Sequence, residues 1–188
     1  MPSSAALTRW AGTRAAEPGA LFTCRNRERR ETGAELVGTR PDRPFRAMTT
    51  GSRKADGGFW IARKTEPTTA LLVEGAIDAL SAWILADRTQ IDIVISTAGA
   101  TGRMPEWIGG LQLETVFCGY DADPVGDQAA EMLEAQNPTV RRMRPDGDGD
   151  VKDWNEILLR QRARALYMRD CATMGDWSVE IVEIERFG

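Results

Sequence analysis

The sequence predicts an α/β fold: a four-stranded parallel sheet in the order 2-1-3-4 with helices on both faces, preceded by a small β-meander. Three observations carry this. From residue 67 onward, short apolar runs alternate with stretches of helical spacing, the signature of strand–helix units. Before residue 67 the apolar runs are short, and polar turn formers separate them. Carboxylates stand directly after two of the later runs, and in an open α/β sheet the carboxyl ends of the strands are where ligands bind.

The 188 residues suffice for one domain with a real core and a small subdomain attached. The 42% hydrophobic content is never collected into the roughly 18 to 20 residues of a membrane span, and the start does not resemble a signal peptide, so a cytoplasmic protein without a membrane partner is expected. Cys24, Cys118 and Cys171 stand far apart and there is no histidine, which excludes the usual four-ligand zinc sites and every Ser-His or Cys-His hydrolase. The thiols read as ordinary reduced cysteines. Proton work is left to carboxylates, lysines and metal-bound water. The net charge of −4 is uneven: residues 20–64 hold eleven Lys/Arg against five Asp/Glu, so the remainder carries −10. A basic front and an acidic back fit a protein that touches a polyanion with one part and holds cations with another, or else an arginine-rich solvated surface.

Residues 1–19 read as a loose lead-in, with a short helical turn around Leu7 to Trp10. Residues 20–66 form a small basic β subdomain, with strands expected at Ala20–Cys24, Ala34–Thr39 and Gly58–Ala62. Its basic residues crowd the connections: Arg25, Arg27, Arg29 and Arg30 in the first, Arg43, Arg46, Arg53 and Lys54 in the second. Residues 67–168 hold the α/β domain. Ala70–Val73 is a strand ending in Glu74-Gly75, and apolar positions 77, 80, 84 and 85 make the helix that follows. Ile91–Ser96 repeats the strand, Thr97–Gly102 is a loop of small residues, and Pro105–Leu111 a short helix with proline at its start. Strand Thr115–Tyr120 leads to helix Val125–Ala135, strand Thr139–Met143, an acidic loop, and a helix from Asp153 to about Leu166. Residues 169–188 form a tail in which Trp177–Phe187 alternates imperfectly, as a further strand would.

Asp121 and Asp123, one residue apart after the third of these strands, read either as a hard-cation site or as an acidic helix start with Asp123 as cap. With the first and third strands as central neighbours, Glu74 stands opposite them, and the cap reading says nothing about Glu74. Asp78 and Asp127 each follow one helical turn later; they orient a metal-bound water or satisfy the helix dipole. Asp153 is cap or ligand. Arg141, Arg142, Arg144 and Lys152 cluster on and after the fourth strand, where they hold phosphates or guard an edge strand against aggregation. Trp154 reads as a packing anchor. Asp146-Gly-Asp-Gly-Asp150 begins like a calcium loop but has Val151 and Ile157 where that loop needs its glycine and closing glutamate. No Gly-x-x-x-x-Gly-Lys phosphate loop is present, which argues against P-loop ATPase chemistry.

Val73-Glu-Gly-Ala-Ile-Asp-Ala-Leu-Ser81 followed by Tyr120-Asp-Ala-Asp-Pro-Val-Gly126 resembles the Toprim domain of topoisomerases and bacterial-type primases. Ile95–Ala100 looks like the loop after the second Toprim strand. Lys152-Asp-Trp-Asn-Glu-Ile-Leu158, with Leu21–Arg25, Gly33–Thr39 and Gly51–Lys54, is similar to primase-like Toprim proteins of plasmids and mobile elements. The resemblance implies a Toprim-like sheet, Glu74 in acid/base catalysis or metal binding, and Asp121 and Asp123 as ligands of Mg²⁺ (or Mn²⁺). It implies Mg-dependent nucleotidyl or phosphodiester transfer on nucleic acid, a primase-like nucleotidyltransferase in DNA replication. A Toprim nuclease, or a non-catalytic nucleic-acid-binding module partnering a helicase or relaxase, are the alternatives. The expected partners are single-stranded DNA or RNA, bound through Arg25, Arg27, Arg29, Arg30, Arg53, Lys54, Arg142, Arg144 and Lys152, together with nucleotides. Larger relatives also carry a zinc ribbon or a helicase, so such modules enter as partners in trans. Val125 replaces the small residue often found before the glycine, a change expected to touch packing only.

Overall fold

The structure is a computed structural model that describes residues 19–40, 42–86, 90–146 and 150–173. The chain divides into two compact units, residues 1–158 and 159–188. The expected lead-in and the expected strand at Trp177–Phe187 lie outside the described residues.

The first unit contains two sheets. β1 (Gly19–Arg25), β2 (Glu31–Gly38) and β3 (Arg46–Met48) form an antiparallel meander in the order β1-β2-β3. The second sheet has the order β4-β6-β5-β7-β8, from β4 (Trp60–Ala62), β5 (Thr69–Val73), β6 (Ile93–Ser96), β7 (Thr115–Cys118) and β8 (Val140–Arg142). Its last four strands are parallel and stand in the expected 2-1-3-4 order. The strand expected at Gly58–Ala62 does form, but as β4 it pairs antiparallel with β6 at the edge of this sheet instead of closing the meander. The physical reason lies at Gly58: it bridges to Arg25, and a Cβ there would stand 2.5 Å from the Ser96 carbonyl, so only glycine lets the chain cross so close to β6.

The central strand β5 is buried over Ala70–Val73, which is why it reads as a continuous apolar run. Alternation sorts its side chains to two cores. Ala70 and Leu72 pack with Ile93, Ile95, Val116, Leu133 and Ile108, which brings in α2 (Glu106–Gly109) and α3 (Pro124–Gln136). Leu71 and Val73 pack with Val94 and with Ala79 and Ala82 of α1 (Ala76–Leu85), sealed by Trp154. Trp154 opens α4 (Trp154–Thr173), of which residues 154–158 belong to the first unit, and its indole N–H donates to the Gly119 carbonyl at 2.7 Å. The packing-anchor reading of Trp154 therefore holds. In the second unit α4 continues with residues 159–167 exposed. Among the described residues no helix is long and apolar enough to cross a membrane.

One glycine fixes the turn that matters for the site. A Cβ on Gly126 would lie 2.2 Å from the Asp121 carbonyl oxygen, so the first turn of α3 can press against the Asp121 loop only without a side chain there. Val125 beside it is 66% exposed, so the effect on packing expected of this departure is small. Gly126→Ala is therefore expected to lower the unfolding free energy by about 1–3 kcal/mol in urea titrations, against less than about 0.5 kcal/mol for Val125→Ala. Equal effects of the two substitutions would contradict the close approach.

Candidate functional site

Register brings the acidic residues together. β5 and β7 are hydrogen-bonded neighbours, with Leu72 opposite Cys118, so the residues that follow each strand emerge side by side. Glu74 follows β5 and Asp121 follows β7. The Asp121 N–H donates to Glu74 Oε1 at 3.1 Å, so the glutamate receives a backbone hydrogen bond from the loop that carries the aspartates. Asp123 caps α3: its Oδ1 accepts from the Val125 and Gly126 N–H groups at 3.0 Å each, leaving Oδ2 at 3.9 Å from Lys152 Nζ. Asp153 likewise caps α4, accepting the Glu156 N–H at 2.7 Å. The cap reading of Asp123 and Asp153 is thus met in geometry, and each still places charge beside Asp121.

Asp78 is the buried member of the group, 1% exposed, one turn into α1. Neither carboxylate oxygen has a hydrogen-bond partner of normal geometry. Arg46 Nη1 stands 3.8 Å from Oδ2, an ion pair without a hydrogen bond. Burial pushes the Asp78 carboxyl up to about 7, with Asp153 raising it further and Arg46 opposing. Asp121 is pushed up to about 6 by burial and then by Glu74, Asp153 and Asp123, with Arg46 again opposing. In both cases burial leads and neighbouring carboxylates add to it, against partial compensation by Arg46.

The donor set fits a hard divalent cation. Burial and neighbouring carboxylates raise Asp121 and Asp78, and among the described residues the two Asp78 oxygens accept no hydrogen bond. Among the described residues no three of them close into a ready-made metal cage. Carboxylate oxygens are donors that magnesium takes one or two at a time, completing its shell with water and substrate phosphates.

The basic residues divide into three groups. Arg142 works inward: its guanidinium donates to the carbonyls of Cys118, Tyr120 and Asp121 at 3.1, 2.8 and 2.9 Å and to Asp127 Oδ1 at 2.6 Å, bracing the loop that carries the aspartates. Arg144 also pairs with Asp127 and donates to the Ala122 carbonyl at 3.0 Å. Asp127, whose carboxyl is held low by Arg142 and then Arg144, therefore has its oxygens engaged by guanidinium groups. Lys152 is exposed beside Asp123. A second group borders Glu74. Lys54, whose ammonium donates to the Ala98 carbonyl at 2.5 Å, lines with Arg46, Glu35, Glu74 and Gly75 a cleft of about 240 Å³. The third group lies elsewhere: Arg27 and Arg29 line a different cleft, with Trp60 and Trp107. Arg25, the last residue of β1, and Arg30, on the β1–β2 turn, are exposed, and Arg53 pairs with Asp56 at 2.9 Å.

Sequence reasoning missed Glu35 and the placement of Arg46 over the site. Glu35 sits in β2, yet its Oε2 accepts the Ala76 N–H at the start of α1 at 3.0 Å, and its Oε1 accepts the Ser96 hydroxyl at 2.6 Å. It is 6% exposed, and burial raises its carboxyl above the ordinary value. One side chain of the meander thus fastens it to two strand ends of the parallel sheet. The available signal was a charged residue inside the apolar run Ala34–Val37. Cys24 and Cys118 are buried free thiols, pushed up to about 12 and about 11 by burial, which makes them unreactive.

The raised carboxyls fix a pH dependence. A group whose folded pKa exceeds its unfolded value binds more protons when folded, so stability is lost as pH rises from the unfolded to the folded value. For Asp78 that window runs from about 4 to about 7. In EDTA, the stability of the wild type relative to Asp78→Asn is expected to fall across this window, with a slope approaching ~1.4 kcal/mol per pH unit. A difference that stays flat or rises with pH would contradict the buried, unrelieved carboxylate.

The Toprim-like family model matches residues 71–158, from β5 to the first turn of α4. Solved structures agree in fold. The primase fragment of the bacteriophage T7 primase-helicase protein is 21% identical with a TM-score of 0.53, covering 80% of this chain and 62% of that one. A structure of bacteriophage T7 lagging-strand DNA polymerase interacting with primase domains of two gp4 subunits, bound to an RNA/DNA hybrid and dTTP, gives 21%, 0.56, 83% and 78%. A DnaG primase catalytic domain bound to ssDNA gives 20%, 0.57, 88% and 61%. The chain thus spans a little under two thirds of the T7 primase fragment. No curated protein matches it significantly in sequence. Residues 71–158 thus match the Toprim-like family model, and the parallel order β6-β5-β7-β8 with Glu74 beside Asp121 belongs to a chain similar in fold to primase catalytic cores.

Proposed function

We propose that this chain carries out divalent-metal-dependent nucleotidyl transfer on a nucleic-acid strand, as a primase-like Toprim enzyme. The single observation that carries the reading is the convergence of Glu74 on the Asp121 N–H, where burial and then Glu74, Asp153 and Asp123 raise the Asp121 carboxyl. Asp121 and Oδ2 of Asp123, the oxygen not used in capping α3, are the groups to hold Mg²⁺ or Mn²⁺, with Asp78 and Asp153 behind them. When bound, the cation neutralises charge developing on a phosphate.

The remaining work belongs to the chain. Glu74 Oε1 accepts the Asp121 N–H, so the carboxylate is oriented while Oε2 remains to take or return a proton at an attacking or leaving oxygen. Arg46 and Lys54, lining the cleft beside Glu74, supply positive charge for nucleotide phosphates, and exposed Lys152 does so beside Asp123. Arg142 acts as a positioning residue, because its donors hold the backbone of residues 118–121. A single strand of DNA or RNA is the polyanion that the basic meander suits, and a helicase or a zinc-ribbon module in trans is the partner class that would present it.

The test is template-dependent nucleotide incorporation assayed beside strand nicking, each with Mg²⁺ and Mn²⁺, for the wild type and Glu74→Gln. Incorporation is expected for the wild type, falling about 10²- to 10⁴-fold in the variant, the size of a general acid/base contribution. The Mg²⁺-induced rise in melting temperature is expected to survive. Nicking without incorporation would reassign the site to a nuclease. Neither activity, even with a helicase or zinc-ribbon partner supplied, would reduce the chain to a binding module.

A further inference from the structure

The larger cleft of the protein is not the one beside Glu74. About 600 Å³ in volume, it follows the outer edge of the parallel sheet along β4, lined by Trp60, Ala62 and Lys64, and reaches Thr68 just before β5. Thr68 and Glu74 stand at opposite ends of β5, roughly 20 Å apart along the strand. Trp60, level with Ile95 of β6, lies nearer the carboxylate end of the sheet, so the cleft leads from that end toward the opposite one.

Its chemistry is aromatic and cationic. Trp60 and Trp107 are both half-buried, their inner parts packed on the core and the remainder lining the cleft. Arg29 sits in the left-handed region at φ 62, where glycine or asparagine is cheaper, and its guanidinium lies 5.9 Å from the centre of the Trp60 ring. Arg27 reaches across to the Gly110 carbonyl at 2.8 Å. Among the described residues, neither guanidinium has a carboxylate partner, whereas Lys64 is neutralised by Asp92 at 2.7 Å. Glu66 and Glu114 also line the cleft, on the segments that start β5 and β7, whereas its two arginines without a carboxylate partner are concentrated on the β1–β2 turn. Half-exposed indoles lining a cleft beside arginines that no carboxylate neutralises match the way single strands are held without regard to sequence: bases stack on rings and phosphates meet guanidinium groups.

We propose that the β4-edge cleft is a second nucleic-acid site, which carries the single strand beyond the carboxylate centre by stacking a base on Trp60 or Trp107 and engaging its flanking phosphates with Arg27 and Arg29. This rests on the reading of the chain as a nucleic-acid enzyme and adds a path for the strand. It assigns the cleft a task separate from metal binding: holding the strand in register while the chemistry proceeds some distance away.

The experiment uses the full chain with fluorescent oligothymidylate and oligouridylate, whose separate arms distinguish DNA from RNA, and with the same strands carrying 5-iodouracil for photocrosslinking. Crosslinks are expected at Trp60 or Trp107. The double variant Arg27→Glu, Arg29→Glu, on an exposed turn, is expected to bind at least 10-fold more weakly. Its plot of log affinity against log salt should be shallower by about 1.4, because two phosphates are no longer neutralised and each accounts for about 0.7 of the slope. Mg²⁺-induced stabilisation of that variant verifies its fold and reads the carboxylate centre independently. Unchanged affinity and slope, crosslinks confined to the Lys54 and Arg46 side, or no binding by the wild type would each overturn the second site. Loss of incorporation in Glu74→Gln would still stand in the first two cases, so failure of this inference is separable from failure of the catalytic reading.

Discussion

Carboxylates that repel one another are held together at the carboxyl ends of two adjacent parallel strands, and much of the surrounding structure serves that constraint. Glu74 and Asp121 arrive side by side because β5 and β7 are hydrogen-bonded neighbours. Asp123 and Asp153 are fixed there by capping their helices. Asp78 is buried behind them without a hydrogen bond of its own. In the absence of a cation this grouping works against stability, and the raised Asp78 and Asp121 carboxyls record the conflict. A divalent ion would remove it, and binding to the folded state alone would stabilise the protein.

The repulsion is contained by neighbouring groups. Arg142 clamps three strand-end carbonyls and pairs with Asp127, so the loop carrying Asp121 cannot relax away from Glu74. Gly126 lets the first turn of α3 rest against the same loop. Glu35 fastens the meander to the start of α1 and to Ser96, which brings Arg46 and Lys54 to the mouth of the cleft. The meander is therefore part of the site's electrostatics, adding positive charge on the Glu74 side to that of Arg142 behind the Asp121 loop.

Much of the parallel sheet was legible in the sequence, because buried parallel strands are continuous apolar runs and right-handed crossovers leave few orders to choose from. Glu74, Asp121 and Asp123 were legible for the same reason: a charged residue directly after such a run falls at the ligand-binding edge. What was not legible depended on contacts between distant segments. Gly58–Ala62 read as a strand, but nothing local says that it joins β6; that follows from the Gly58 contact with Ser96. Arg142 looked like a phosphate ligand because its charge is visible in sequence, whereas the carbonyls it satisfies are not. Glu35 is an acid whose partners lie 41 and 61 residues away, beyond the reach of any periodicity.

The central claim is that these carboxylates hold a divalent cation. It is tested most directly by a crystal of the protein soaked in Mn²⁺, with the ion located by its anomalous scattering. The account predicts a peak between Asp121 and Asp123 at roughly 2.1 to 2.2 Å from carboxylate oxygens, the bonding range of a small hard cation. A peak at another place, or none at Mn²⁺ concentrations that raise the melting temperature, would contradict it.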